Sequence, residues 1–305
     1  KMKATRDFFG EYLLEIAAKD ESIVVVNCDL GEATRTLAFK EMYPERFIES
    51  GIAEANAISI AAGLSKNGLK PFVTSFGHFL TGKFLEIFQS IGLNNSNVVL
   101  VGTHAGLAIG KDGPTQMGLR DIGLIRLLPN FSIYQPFNET QTKQIMDEMI
   151  QKDGPKYLRL NRQPQEFFDY EENFNFGFHD EILKGEELLL ITQGAPTVEA
   201  FLATQSIEDK NDIGLISLSS MPVNHEKLAE TIINYEKILI IEDHYSLGGI
   251  SDLVARVISE NNLNVNFNTL SVIDYGQSGS PEDLYKRYNL DKEGIVQKIY
   301  EILES

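Results

Sequence analysis

A chain of 305 residues with 43 % hydrophobic and 10 % aromatic content has room for about two domains with conventional cores. Its formal net charge of −17 disfavours nucleic acid and anionic membrane as partners, because both repel an acidic surface, though a local cluster of Arg and His could still capture a small anion. No apolar run approaches the ~20 residues of a membrane span. The single cysteine, Cys28, forbids an intrachain disulfide, and the opening KMKATRDFFG lacks a secretory apolar core, so a cytoplasmic location is expected.

In chain order, apolar runs without polar alternation fall at 22–29 (SIVVVNCD), 70–76 (KPFVTSF), 97–104 (NVVLVGTH), 131–136 (FSIYQP) and 156–160 (KYLRL). Helical patterns lie between them near 5–19, 53–67, 79–92 and 138–151. Strands apolar on both faces, each followed by a helix, predict a parallel sheet covered on both sides. Residues 163–181 (QPQEFFDYEENFNFGFHDE) break the rhythm; polar, acidic and aromatic without a period, they read as an interdomain linker. Strand patterns resume at 187–194, 212–220, 236–244 and 264–272, with helices near 196–206, 224–234, 248–260 and 291–304. In GSPEDLYKRY, Ser280 is placed to cap a helix, with Pro281 at its first position and Asp283 three residues on. The fold class expected is α/β, two doubly wound domains with the second smaller.

The stretch FIESGIAEANAISIAAGLSKNG poses a question of charge. Glu54, Ile58, Ala61 and Ala62 share one helical face, and the other faces are scarcely more polar. Such a helix is predicted to be buried all round, which would shield Glu54 from water. A carboxylate in the first turn complements the helix dipole, but a desolvated carboxyl also tends to hold its proton and to serve in proton transfer. Spacing alone leaves both readings open.

The longer string FIESGIAEANAISIAAGLSKNGLKPFVTSFGHFL resembles the pyrimidine-binding domain of transketolases. The likeness continues through GTHAGLAIGKDGPTQMGLRDI and resumes at IEDHYSLGGI, so it runs from ATRDFFGEYL to about residue 300. It divides the chain into a pyrimidine-binding domain (1–165), a linker (166–182) and a transketolase C-terminal domain (183–305). The resemblance implies thiamine diphosphate as cofactor and transfer of a two-carbon ketol unit from an anionic ketose to an aldose. It gives Glu54 a hydrogen bond to a ring nitrogen of the aminopyrimidine, favouring the imino tautomer.

By the same resemblance Phe76 and Phe79 lie at the aminopyrimidine, with Phe79 better suited to stack on it. Taken alone, two Phe three residues apart at a strand-to-helix junction are more often core than cofactor contact. Phe84 and Phe88, at i and i+4, read as core, and His78 as packing. Asp29 and Leu30 match a turn that approaches the cofactor, at the carboxyl end of a strand where α/β folds place ligands. For the sugar, the resemblance puts Asp112 on a hydroxyl, His104 near a phosphate and Gln116 toward the carbonyl end. Arg6 and Arg162 match two phosphate-binding guanidinium forks. A serine of the family's phosphate site is replaced in GEATRT, which offers Ala33 and Thr34 with Arg35 nearby. The anion, phosphate or sulfonate, therefore stays open. Glu242, Asp243 and His244 read as a hydrogen-bonded turn at a subunit interface.

A full transketolase also carries a Gly-Asp-Gly followed roughly ~30 residues later by Asn, holding a cation and phosphate oxygens. No such motif occurs in this sequence. The resemblance therefore implies the C-terminal subunit of a split transketolase. A separate N-terminal subunit is expected to bring Mg²⁺ or Ca²⁺, with no metal ligand in this chain. The assembly expected is a heterotetramer with the cofactor between unlike subunits and an interface above ~2,000 Å². Rival readings are the beta subunit of a 2-oxo-acid dehydrogenase, a deoxyxylulose-phosphate synthase fragment and a non-catalytic structural subunit. The string IGKDGPTQMGLRD favours transketolase over the first two, and the joint presence of Glu54, Phe79, His104 and Asp112 weighs against the third.

Overall fold

The computed structural model of the chain describes residues 2–165, 168, 170, 173–208 and 212–304. Five positions of the segment read as a linker (166, 167, 169, 171 and 172) lie outside the described residues. The first half begins with α1 (Thr5–Ala17), β1 (Ile23–Asn27), α2 (Leu37–Met42), β2 (Phe47–Glu49), α3 (Glu54–Lys66) and β3 (Lys70–Phe76). It continues with α4 (Gly77–Thr81), α5 (Phe84–Glu86), β4 (Val99–Thr103), α6 (Asp121–Arg126), β5 (Ser132–Tyr134), α7 (Glu139–Gln151) and β6 (Lys156–Arg159). The second half starts with β7 (Asp180–Leu183), β8 (Leu188–Thr192), α8 (Ala195–Gln205), β9 (Ile213–Ser217), β10 (Ser220–Met221) and α9 (His225–Ile232). It ends with β11 (Lys237–Tyr245), α10 (Ile250–Glu260), β12 (Asn266–Val272), α11 (Pro281–Arg287) and α12 (Lys292–Leu303).

Two sheets result. The first runs β10-β5-β6-β4-β3-β1-β2 and is parallel except for β10; the second runs β12-β11-β8-β9-β7 and is parallel except for β7. Every residue of β1, β4, β8 and β9 is buried, as central strands covered on both faces require. Polar caps begin several helices: Asn138, Asn224, Ser280 and Asp291 each accept a backbone N–H three residues on.

Four features differ from the sequence expectations. The helix expected over 79–92 is broken: Gly82 closes α4, Lys83 leaves helical geometry, and α5 runs into a π-helical turn, Ile87–Gly92. Phe88, expected in the core, is 38 % exposed on that turn. Helix α3 is not buried all round: Glu54, Ala57, Ile58 and Ala61 are buried, while Asn56, Ser59 and Gly63 face outward. Its run of small residues hides an amphipathic helix. Finally, Glu242, Asp243 and His244, which close the strand run expected at 236–244 and also read as a turn, are buried strand residues of β11.

The halves are stitched together. The stretch expected as one strand over 212–220 ends at Ser217, and β10 crosses to the first sheet, pairing Ser220 with Tyr134 and Met221 with Ile133. Below it, Arg159 donates to Asp121 Oδ2 (2.8 Å), Gly118 O (2.8 Å) and Asp243 O (2.9 Å). Asp243 in turn accepts from Leu107 N (2.9 Å) and from the Tyr285 hydroxyl (2.7 Å). Within the segment read as a linker, Phe168 stacks on Phe137 and Phe201, and Phe174 and Phe176 lie against Tyr134. Strand β7 takes up its last residues.

Candidate active site

A cavity of about 510 Å³ opens at the carboxyl ends of β1, β3 and β4. It is lined by Asp29 and Leu30 after β1, Phe76 closing β3 and His104 after β4, with Arg6 from α1 and Arg162 beyond β6. Asp112 and the loop residues Glu32, Ala33 and Arg35 complete it. Parallel sheets place ligands at this edge because strands end there and loops diverge. Asp29, Arg35 and His104 all have left-handed backbones, with φ of 58°, 64° and 56°. Non-glycine residues held in this region are strained, and such strain tends to gather at functional sites.

The electrostatics follow from the partners of His104, which is 3 % exposed. Its Nε2 lies 3.0 Å from Arg6 Nη1, and a guanidinium only donates, so Nε2 accepts. Nδ1 therefore carries the proton and donates to Thr103 Oγ1 at 2.9 Å. Burial, and then the positive charges of Arg6, Arg162 and Arg35, push the imidazole down to about 2, so it is neutral. Arg6 is itself lowered to about 10, chiefly by burial and then by Arg35, and remains cationic at neutral pH. Its Nη1 also donates to Ala33 O (2.8 Å), while its Nε is buried with no partner among the described residues. Arg162 donates to Ile109 O (3.0 Å) and lies 3.8 Å from Asp112.

Behind Phe76 lies the second group. Glu54 is 7 % exposed, and its Oε1 accepts from Ser75 Oγ at 2.9 Å. Its other oxygen has no hydrogen-bond partner among the described residues. The Phe76 ring stacks with both the His104 ring, 4.1 Å away, and the Phe79 ring, 5.4 Å away. Of the ten residues expected at the site, seven line the cavity: Arg6, Asp29, Leu30, Phe76, His104, Asp112 and Arg162. Glu54 and Phe79 adjoin it through Ser75 and Phe76, whereas Gln116 is not among its lining residues. A loop bond from Gln116 N to Gly113 O fixes the backbone there. His78 packs as expected, its Nδ1 2.9 Å from Met117 O.

Glu49 escaped the sequence reading. Its carboxylate accepts from Asn27 Nδ2 (2.6 Å), Asp29 N (2.8 Å) and Gly51 N (3.0 Å), tying the strained Asp29 turn to the loop that leads into Glu54. An acid closing the short apolar run FIE was the one available signal. Cys28, next to Asp29, is buried, and burial pushes its thiol up to about 12, which makes it a poor nucleophile.

The pyrimidine-binding domain of transketolase matches residues 1–165, and the transketolase C-terminal domain matches residues 180–295. The chain is 33 % identical over 307 residues to a transketolase C-terminal section from Methanocaldococcus jannaschii, covering 98 % of this chain and 96 % of that protein. Against the transketolase of Mus musculus it is 31 % identical over 305 residues, covering 97 % of this chain but 48 % of that protein. It thus spans about half of the mouse enzyme. Among solved structures, a split gene transketolase described as an inactive beta4 tetramer superposes with a TM-score of 0.88 at 30 % identity, covering 100 % of this chain and 99 % of that one. The chain belongs to the transketolase family, of which it carries the pyrimidine-binding and C-terminal domains.

Proposed function

We propose that this chain is the C-terminal subunit of a split, thiamine diphosphate-dependent transketolase. Paired with an N-terminal subunit, it moves a two-carbon ketol unit from a ketose phosphate or related anionic ketose to an aldose. One observation carries the reading: a shielded carboxylate with a free oxygen, Glu54, lies beside an aromatic stack that also walls a guanidinium-lined cavity. These residues fit the cofactor, since an aminopyrimidine needs a proton partner and an aromatic face, and Glu54 and Phe79 provide both. Thiamine diphosphate supplies the carbon acid chemistry that cleaves a ketose next to its carbonyl. In this reading Ser75 fixes one oxygen of Glu54 while the other shares a proton with a ring nitrogen. Phe79 stacks on the ring, and Asp29 and Leu30 border it. Arg6 and Arg162 hold the anionic tail with His104 as a neutral wall, and Asp112 takes a sugar hydroxyl.

The division at 1–165, 166–182 and 183–305 belongs to the same proposal, as does a cytoplasmic location. Mg²⁺ or Ca²⁺ would come with the N-terminal subunit, and the assembly would be a heterotetramer. Support comes from the outward face of α3 and from Ile52 before it, 84 % exposed, which a partner would cover. The tetrameric split-gene relative, described as inactive, points the same way. A 2-oxo-acid dehydrogenase subunit is disfavoured, because three guanidiniums and Asp112 suit a polyhydroxylated anion better than a 2-oxo acid.

The test is ketol transfer by the chain reconstituted with its partner. Glu54→Gln should lower turnover by about 10²–10⁴-fold with an unchanged far-UV spectrum. Near-normal turnover of that variant, or transfer by the chain alone, would refute the reading.

A further inference from the structure

We propose that Arg35 sets the charge of the tail that the cavity accepts: it makes the site select a doubly charged terminal group, a phosphate monoester in its dianionic form, over a singly charged sulfonate of the same shape. This rests on the anion-cavity reading above and adds to it a residue and a ligand charge.

The position of Arg35 is built. Its left-handed backbone is held by Arg35 N to Glu32 O (3.3 Å) and by Thr36 N to Gly31 O (2.8 Å), which close the turn. The turn packs on α1 where Gly10 leaves room, since a Cβ there would meet Arg35 Cβ at 2.5 Å and its carbonyl oxygen at 2.6 Å. Asp7 takes Arg35 Nε at 2.7 Å with one oxygen and Ala4 N at 2.8 Å with the other, anchoring the side chain to the start of α1. That leaves both terminal nitrogens of Arg35 without a hydrogen-bond partner among the described residues, on a residue that lines the cavity.

Around Arg6 and His104 the unpaired group is a donor, and the acceptors are taken. Arg6 Nε is buried and unpaired, Ala33 O is taken by Arg6, and His104 Nε2 already accepts from Arg6. The P–OH of a monoprotonated phosphate finds no matching acceptor among these groups, whereas a dianion offers only acceptors to guanidinium forks. Three carboxylates also line the cavity. Asp112 faces Arg162 at 3.8 Å, and Asp29 and Glu32 are exposed. At His104 the charges of Arg6, Arg162 and Arg35 all act in the same direction. A second negative charge on the ligand therefore gains from each guanidinium.

Methylphosphonate and methanesulfonate share a tetrahedral head and differ by one charge at pH 8.5, so their affinities can be compared by calorimetry or NMR on the chain, alone and paired. The wild type should prefer methylphosphonate by about tenfold. Arg35→Gln should weaken methylphosphonate about tenfold and methanesulfonate by no more than about threefold, while Arg35→Lys keeps much of the preference. Glu54→Gln should leave both affinities unchanged. Equal binding of the two anions by the wild type, or a proportionate loss of both in Arg35→Gln, overturns the proposal. So does a failure of methylphosphonate to bind a pair that still transfers ketol units, which would leave the transketolase reading intact. Arg35-dependent selectivity in a pair that transfers nothing would uphold this inference and remove that reading.

Discussion

Arg159→Met tests how much a buried ion pair of the first half, whose guanidinium also reaches Asp243 O in the second, contributes to stability. The Arg159 and Asp121 side chains are 3 % and 0 % exposed, with Nε and Oδ2 2.8 Å apart. Burial would raise the Asp121 carboxyl, but the guanidinium overrides that and holds it below the usual carboxylate range. The Met variant leaves Asp121 with the Tyr157 hydroxyl at 2.6 Å as its remaining strong donor, and its Oδ1 already lacks a partner among the described residues. It also strips Gly118 O and Asp243 O of the guanidinium. An uncompensated buried charge costs about 3–5 kcal/mol. Adding Asp121→Asn removes the charge, and two weakened carbonyls then cost about 1–2 kcal/mol. The double variant should thus be more stable than Arg159→Met by about 2 kcal/mol, a coupling that a double-mutant cycle isolates. Urea unfolding followed by far-UV circular dichroism is the assay, since the chain has no tryptophan. A single-variant loss below about 1 kcal/mol, or a double variant less stable than the single, would show that the pair contributes little to the stability of the fold.

Two further outcomes are expected. His244 is pushed down to about 4 and His104 to about 2, both chiefly by burial, so the unfolded chain takes up protons near pH 6.5 that the folded chain refuses. Stability falls as pH drops below that, by about 2 kcal/mol per histidine at pH 5, while Glu242, whose carboxyl burial pushes up to about 7, takes up a proton only in the folded chain over the same range and offsets about one histidine's share. Urea unfolding at pH 7.5 and 5 should show the net change, and His244→Asn should shift it by about 2 kcal/mol in favour of the acid end; a change identical to that of the wild type would clear His244 of any part. Glu49→Ala should free the Asp29 turn and the loop before Glu54, raising KM for the donor ketose and lowering kcat in the reconstituted enzyme, for about 1 kcal/mol of stability. Glu49→Gln, which keeps an acceptor for both backbone N–H groups, should recover part of the activity, and kinetics untouched by Glu49→Ala would refute the role.

The parallel strands were legible because full burial leaves an unbroken apolar run: the run at 70–76 coincides with β3. Elements fixed by tertiary pairing were not. β2 has three residues and β10 two, and both exist because a neighbouring strand offers them a ladder. α3 looked apolar on every side because alanine and glycine suit a buried or an open face equally. The Glu-Asp-His string looked like a turn because charged residues seldom sit inside a strand. Asp243 and His244 are tolerated there by a web of partners drawn from both halves. At the site, the chemistry-bearing side chains stood out through their strings, whereas Glu49 and Gly10 act only through what folding brings against them.

The three left-handed residues of the cavity show why. A single such residue costs roughly 1–2 kcal/mol, so none persists without a clamp. Asp29 is held by the Glu49 carboxylate at the end of β2. Arg35 is held by Asp7 and by the missing Cβ of Gly10, both on α1. His104 is held by Thr103 and by Arg6, again from α1. One helix therefore fixes two of the three turns. Strain of this kind is a property of residues distant in sequence meeting at one edge of a sheet, and in the reading proposed above these turns are set before any ligand arrives.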